Sequence, residues 1–148
     1  MLAVLGAVAL APPAIAAPPE DACALLMPTQ VGAAMDVVMD AGAHLGVSRK
    51  SCTWTVSGAG EYVTLQIQQQ RAFQDGKQLA LMSQGLKLFL NAVRGVGDEA
   101  YYLGMGSNVG LVVKQGAVVF KLSVYGPGSL EQKEAMEKTL AQQVIARL

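Results

Sequence analysis

Few residues of this chain have the type and spacing to do chemistry: two cysteines, one histidine, a pair of aspartates and a glycine-rich run. Cys23 and Cys52 form no Cys-x-x-Cys pair and have no basic helix terminus nearby to lower a thiol pKa, so a redox or nucleophilic role has little support. In an exported chain of this size two cysteines most simply form one disulfide. Closing that loop is worth about 3–4 kcal/mol in the chain-entropy model. His44 is the sole histidine, which excludes multi-histidine metal sites and leaves any Ser-His-Asp or Cys-His arrangement dependent on one residue. Its glycine-flanked setting, "AGAHLGV", predicts an exposed or locally hydrogen-bonded ring. Asp36 and Asp40 stand four apart on an expected helix, where like charges repel and mark a solvated face rather than a catalytic pair. In "LGMGSNVG" the glycines run Gly104-x-Gly106-x-x-x-Gly110 and lead into a strand, whereas a phosphate loop leads into a helix N-terminus. No catalytic, cofactor-binding or metal-ligating residue is assigned, and no cofactor is expected.

What remains is a binding surface. In "EYVTLQIQQQ", Val63, Leu65 and Ile67 alternate with Thr64, Gln66 and Gln68, so one strand face is a polar row able to engage a peptide or glycan through hydroxyls and amides. Asp98 and Glu99 precede Tyr101 and Tyr102, whose amphipathic rings offer contact area beside mobile glycines. The competing reading puts one tyrosine in the core and the other over a sheet edge.

The elements that must position these groups follow from periodicity. Residues 17–26 are extended, Pro28 suits the first turn of a helix, and Val31, Ala34, Met35 and Val38 give that helix an apolar stripe up to Gly42. A brief edge strand is expected at 44–48. "SCTWTV" then alternates Cys52, Trp54 and Val56 against Thr53 and Thr55, and Ser57–Gly60 reads as the hairpin turn to the next strand. Leu79, Met82, Leu86, Phe89 and Val93 step by three and four, which predicts one helix over 75–94, with Lys77, Gln84, Lys87 and Asn91 facing elsewhere and Gly95 and Gly97 ending it. A loop over 98–110 leads to two more strands turning at Gln115-Gly116. Ser129 and Gln132 form a capping box for a final helix with Met136, Leu140 and Val144 on its stripe. Strand–turn–strand–helix thus occurs twice, over 51–95 and 109–147. The expected fold class is α+β: an antiparallel sheet from two strand-strand-helix units, both long helices on one face, and a short N-terminal helix tied by the disulfide.

The chain opens with an apolar run ending Ala14-Ile15-Ala16, a small-x-small pattern, so residues 1–17 are expected to be a signal peptide and 18–148 a single domain. Pro12, Pro13, Pro18 and Pro19 interrupt the run, so no transmembrane anchor is expected. Eleven basic side chains balance eleven acidic ones, leaving no global field to recruit nucleic acid or an anionic membrane. The expected location is periplasmic or secreted.

"CALLMPTQVGAAM", "CTWTV" and "VGDEAYY" together resemble small exported bacterial envelope proteins, often lipoproteins, with a Cys-x-Leu-Leu start, a Cys-x-(Trp/Tyr) strand and a Gly-Asp-Glu-Ala segment. Met27 stands where that pattern has Ser or Thr. The resemblance implies a disulfide-tied α+β domain at the cell envelope and supplies no catalytic residues. The expected function is therefore a non-enzymatic binding, sensing or accessory role toward an unidentified envelope protein, peptide or glycan. The alternative is a secreted inhibitor of an extracellular protease or muramidase.

Overall fold

The computed structural model describes residues 17–83, 85 and 87–148, so the expected leader lies, apart from Ala17, outside the described residues. A 3-10 turn over Ala22–Ala24 is followed by α1 (Pro28–Met35), β1 (Ala43–His44), β2 (Ser51–Thr55), β3 (Tyr62–Gln68) and α2 (Ala72–Met82). Then come β4 (Leu88–Val93), β5 (Glu99–Met105), β6 (Asn108–Gln115), β7 (Val118–Tyr125) and α3 (Leu130–Ile145). The strands form one antiparallel sheet in the order β1-β2-β3-β7-β6-β5-β4. The α+β class stands. The sheet has seven strands and is larger than expected, and the helices are shorter.

The β2–β3 pairing is set by local chemistry. Gly58 and Gly60 take φ +79° and +70° in the β2–β3 turn, which side-chain-bearing residues rarely adopt. In β3, Val63, Leu65 and Ile67 are buried while the residues between them are half-buried. Both cysteines sit as expected: Cys23 and Cys52 form a disulfide with Cα atoms 5.1 Å apart, closing a separation of 29 residues. Trp54 and Cys52 are fully buried on the same face of β2. That face, with Val63, Leu65, Leu111, Phe120 and Leu122, forms the main core against Val31 of α1 and Leu140, Ala141 and Val144 of α3. The box at the start of α3 is present: Gln132 N–H donates to Ser129 Oγ at 3.2 Å and Ser129 N–H to Gln132 Oε1 at 2.9 Å.

Four expectations are corrected. The helix over 75–94 stops at Met82, and Leu88–Val93 is a strand. A spacing of four is even, so Phe89 and Val93 share a face in a strand as they do in a helix, and pairing with β5 decides between the two. Leu79 and Met82, offered as stripe residues, are exposed, and Gln84 and Leu86 lie outside the described residues. The 98–110 loop is replaced by β5, a turn at Gly106 and the start of β6. Gly104 belongs to β5, where Phe89 fills the space a side chain would take: a Cβ there would lie 2.5 Å from the Phe89 ring. The helices do not share one sheet face. α1 and α3 cover the main core, whereas α2 packs Phe73 onto Tyr101, Val112 and Val119 on the opposite side. Finally, α1 ends at Met35, because Asp36 turns left-handed (φ 56°, ψ 40°). Asp36 and Asp40 therefore share no helix face, and Gly42 lies instead against Cys52 and Trp54.

Candidate functional site

Strand register places side chains in rows that cross the sheet. On the face opposite the main core, Thr53 pairs with Thr64 and Thr64 with Ser123. Gly110 lies beside Ser123 and pairs with Leu103. This row of short side chains is flanked by long ones: Gln66 and its partner Lys121 on one side, Tyr62 and its partner Tyr125 on the other. The two tyrosine rings stack with centroids 4.4 Å apart and 18° between planes. A floor of Thr, Thr, Ser and Gly between such walls makes a trough perpendicular to the strands.

The trough has two adjoining parts, which share Lys121, Ser123 and Tyr125. A depression of about 580 Å³ lies over β2, β3 and β7, lined by Thr53, Thr64, Gln66, Tyr62, Lys121 and Ser123. A smaller one of about 200 Å³ continues over β6, β5 and β4, where Leu88, Leu103 and Met105 join Lys121, Ser123 and Tyr125. Gly110 lines the smaller depression. A Cβ at Gly110 would stand 2.5 Å from Lys121 Cε and 2.6 Å from Ser123 Oγ, so the lysine stem leans into the space that the glycine leaves. Among the described residues the ion pairs are Asp21 with His44 and Arg49, and Lys77 with Glu99; Lys121 belongs to none. Thr53 Oγ1, on the floor, is a buried hydroxyl with no protein partner. Such a row of hydroxyls with one cation offers hydrogen-bond partners to an extended polar ligand.

Of the residues singled out in the sequence, Thr64 and Gln66 line this trough. Gln68 shares their face and pairs with Val119, beyond the depression. Asp98, Glu99, Tyr101 and Tyr102 are not brought to it. Asp98 Oδ2 accepts the Gly116 N–H at 2.7 Å and fastens the β6–β7 turn, and Glu99 pairs with Lys77 of α2. Both tyrosines are buried, on opposite faces of the sheet. Tyr101 donates to Phe73 O at 2.8 Å beneath α2, and Tyr102 donates to Glu134 O at 2.7 Å beneath α3. Burial pushes both hydroxyl pKa values up to about 12, with Glu99 and Asp75 adding to the effect at Tyr101 and Glu134 and Glu137 at Tyr102. The trough residues not singled out in the sequence are Thr53, Tyr62, Gly110, Lys121, Ser123 and Tyr125. For Lys121, Ser123 and Tyr125 the signal was the polar parity of "FKLSVY", in which they alternate with Phe120, Leu122 and Val124.

A second polar cluster sits by the disulfide. Asp21 Oδ1 lies 2.8 Å from His44 Nε2 and accepts the Cys23 N–H at 2.9 Å, while Oδ2 accepts from Arg49. The His44 contact first, and Arg49 second, hold the Asp21 carboxyl well below the usual carboxylate range. Cys23 lies close enough to complete a three-ligand group, but its sulfur is spent in the disulfide and offers no thiolate. The cluster clamps the N-terminal segment to the β1–β2 edge.

No helix among the described residues is long and apolar enough to cross a membrane, and the disulfide is consistent with a compartment outside the reducing cytoplasm. Comparison with protein-family models, curated proteins and solved structures finds no match.

Proposed function

We infer that the protein is a non-enzymatic binding module of the cell envelope, periplasmic or secreted, whose ligand lies along the trough across β2, β3, β7 and β6. The observation that carries this reading is the row Thr53–Thr64–Ser123–Gly110, a floor of short polar side chains between Gln66 and Lys121 on one wall and the stacked Tyr62 and Tyr125 on the other. Strands stand about 4.8 Å apart, so the row spans about 14 Å from β2 to β6, and the trough as far as Leu103 of β5 about 19 Å, the length of about six residues of extended chain. The test is a titration of the isotopically labelled protein with soluble fragments of envelope peptide and glycan. Amide shifts at Thr53, Thr64, Gln66 and Ser123, abolished in Thr64→Phe, support the reading. Shifts confined to other surfaces, or unaffected by Thr64→Phe, contradict it.

The alternative reading is a secreted inhibitor of a protease or muramidase. Leu79, Leu81 and Met82 stand exposed on α2 beside the edge strand β4, which favours a protein partner. Unchanged protease and muramidase rates in the presence of the protein remove it.

A further inference from the structure

The trough changes character along its length. Over β2 and β3 its floor is hydroxyl, from Thr53 and Thr64. At β7 it carries Lys121, a cation that joins none of the ion pairs among the described residues, together with Ser123, which is only 3% exposed. Past Gly110 the lining turns apolar, with Leu103, Met105 and Leu88 around about 200 Å³, less than the usual 300–1,000 Å³ of a drug-sized site and room for about one side chain. A ligand that fits needs an extended polar stretch, then a negative charge, then a short apolar group, in that order.

We propose that the trough takes the C-terminal end of an extended peptide. Its free α-carboxylate sits on Lys121 Nζ and Ser123 Oγ, its last side chain is apolar and enters the space between Leu103, Met105 and Leu88, and the preceding residues cross the Thr64 and Thr53 floor. This rests on the binding role inferred for the trough. In a C-terminal residue the carboxylate and the side chain branch from one carbon and the chain continues in one direction only, which is the order of groups here. A fatty acid carries its charge at one end of an apolar chain and leaves the hydroxyl floor empty. An acidic oligosaccharide leaves the apolar end unfilled. Charge-assisted hydrogen bonds from a lysine and a hydroxyl are the stronger kind, and capture of terminal carboxylates is a recurring mode of peptide recognition.

Calorimetry on the full chain tests this with the hexapeptide acetyl-Gly-Ser-Ala-Ser-Gly-Leu, as the free acid and as the C-terminal amide. A galacturonate trimer and octanoate serve as competing anions. The proposal expects the free acid to bind at least about tenfold more tightly than the amide. Lys121→Met should reduce that ratio to about twofold or less, and Lys121→Arg should keep most of it, with circular dichroism confirming that both variants are folded. Equal affinity for acid and amide, an unchanged ratio in Lys121→Met, tighter binding of galacturonate or octanoate, or no binding of either peptide would each overturn it. If the peptides fail while envelope fragments still shift the Thr64 and Gln66 amides, the peptide assignment falls and the trough reading survives. If no ligand shifts these amides, both fall.

Discussion

Glu137 of α3 completes the sheet: its Oε1 accepts the Val124 N–H at 2.9 Å, beyond the point where the β6–β7 pairing ends at Leu111 and Leu122. β7 continues alongside β3 as far as Tyr125, so an amide that would otherwise face a parted neighbour is satisfied by a side chain. On the other face of the sheet the same parting admits Gly110 beside Ser123 and opens the trough. One carboxyl therefore holds the main-core side of the sheet where its opposite side carries the candidate site.

Glu137 is fully buried, and its Oε2 has no partner. Burial, opposed by the Val124 N–H and by Lys121 and Lys133 and assisted by Glu134, raises its pKa from 4.5 to about 8. The folded state thus holds a proton that the unfolded chain releases. The stability from this group is complete below about pH 4.5, declines as pH rises, and is lost above about pH 8, a change of a few kcal/mol. Glu137→Gln, neutral throughout, should flatten the fall in urea midpoint between pH 5 and 9 and exceed the parent in stability at pH 9. An unchanged pH slope in the variant would show that Glu137 is not the source.

Reducing the Cys23–Cys52 disulfide should lower stability by about 3–4 kcal/mol. The intact protein should gain 2 Da on reduction, about one hydrogen per sulfur. The loss should first appear as faster amide exchange in the 3-10 turn and α1, the segments that the bridge fastens to β2. Equal midpoints for oxidised and reduced protein would sink this prediction.

Gly42 lies where a Cβ would meet Cys52 Sγ and Trp54 Nε1, each at 2.7 Å. Neither neighbour can yield, since one is bridged and the other is fully buried. Gly42→Ala should therefore cost about 1–3 kcal/mol as overpacking. At Gly46 a Cβ would meet no atom within 4 Å, but the backbone adopts a positive φ. Its substitution by Asn therefore tests backbone strain separately and should cost less.

α2 is held by Phe73 and by the Tyr101 hydroxyl, which donates to Phe73 O. Tyr101→Phe removes that buried side-chain hydrogen bond, leaving Phe73 O its bond within α2, and should cost about 1 kcal/mol. Hydrogen exchange should show α2 loosening while α3 stays protected. Uniform loosening of both helices would mean that α2 is not an independently attached element.

Much of the fold was legible. The alternation in Cys52–Val56 and Val63–Ile67 specified two strands and their buried faces, and the box at Ser129 and Gln132 placed the start of α3. The strand β4 was not legible, because Phe89 and Val93 suit both periods and only pairing with β5 separates them. The face chosen by α2 was hidden for a related reason: Leu79 and Met82 supplied an apolar stripe, whereas Phe73, ahead of the expected helix start, makes the contact. Within the candidate site, Thr64 and Gln66 followed from local alternation. Lys121, Ser123 and Gly110 did not, since a row across strands exists only once β7 is known to lie between β3 and β6.

The central claim is that the row from Thr53 to Gly110 is a ligand-binding trough. The most direct measurement is the amide-shift map of the labelled protein titrated with envelope peptide and glycan fragments. Saturable shifts at Thr53, Thr64, Gln66, Lys121 and Ser123, lost in Thr64→Phe, are the predicted result. Saturable shifts on α2 or the β1 edge with none along this row would contradict it.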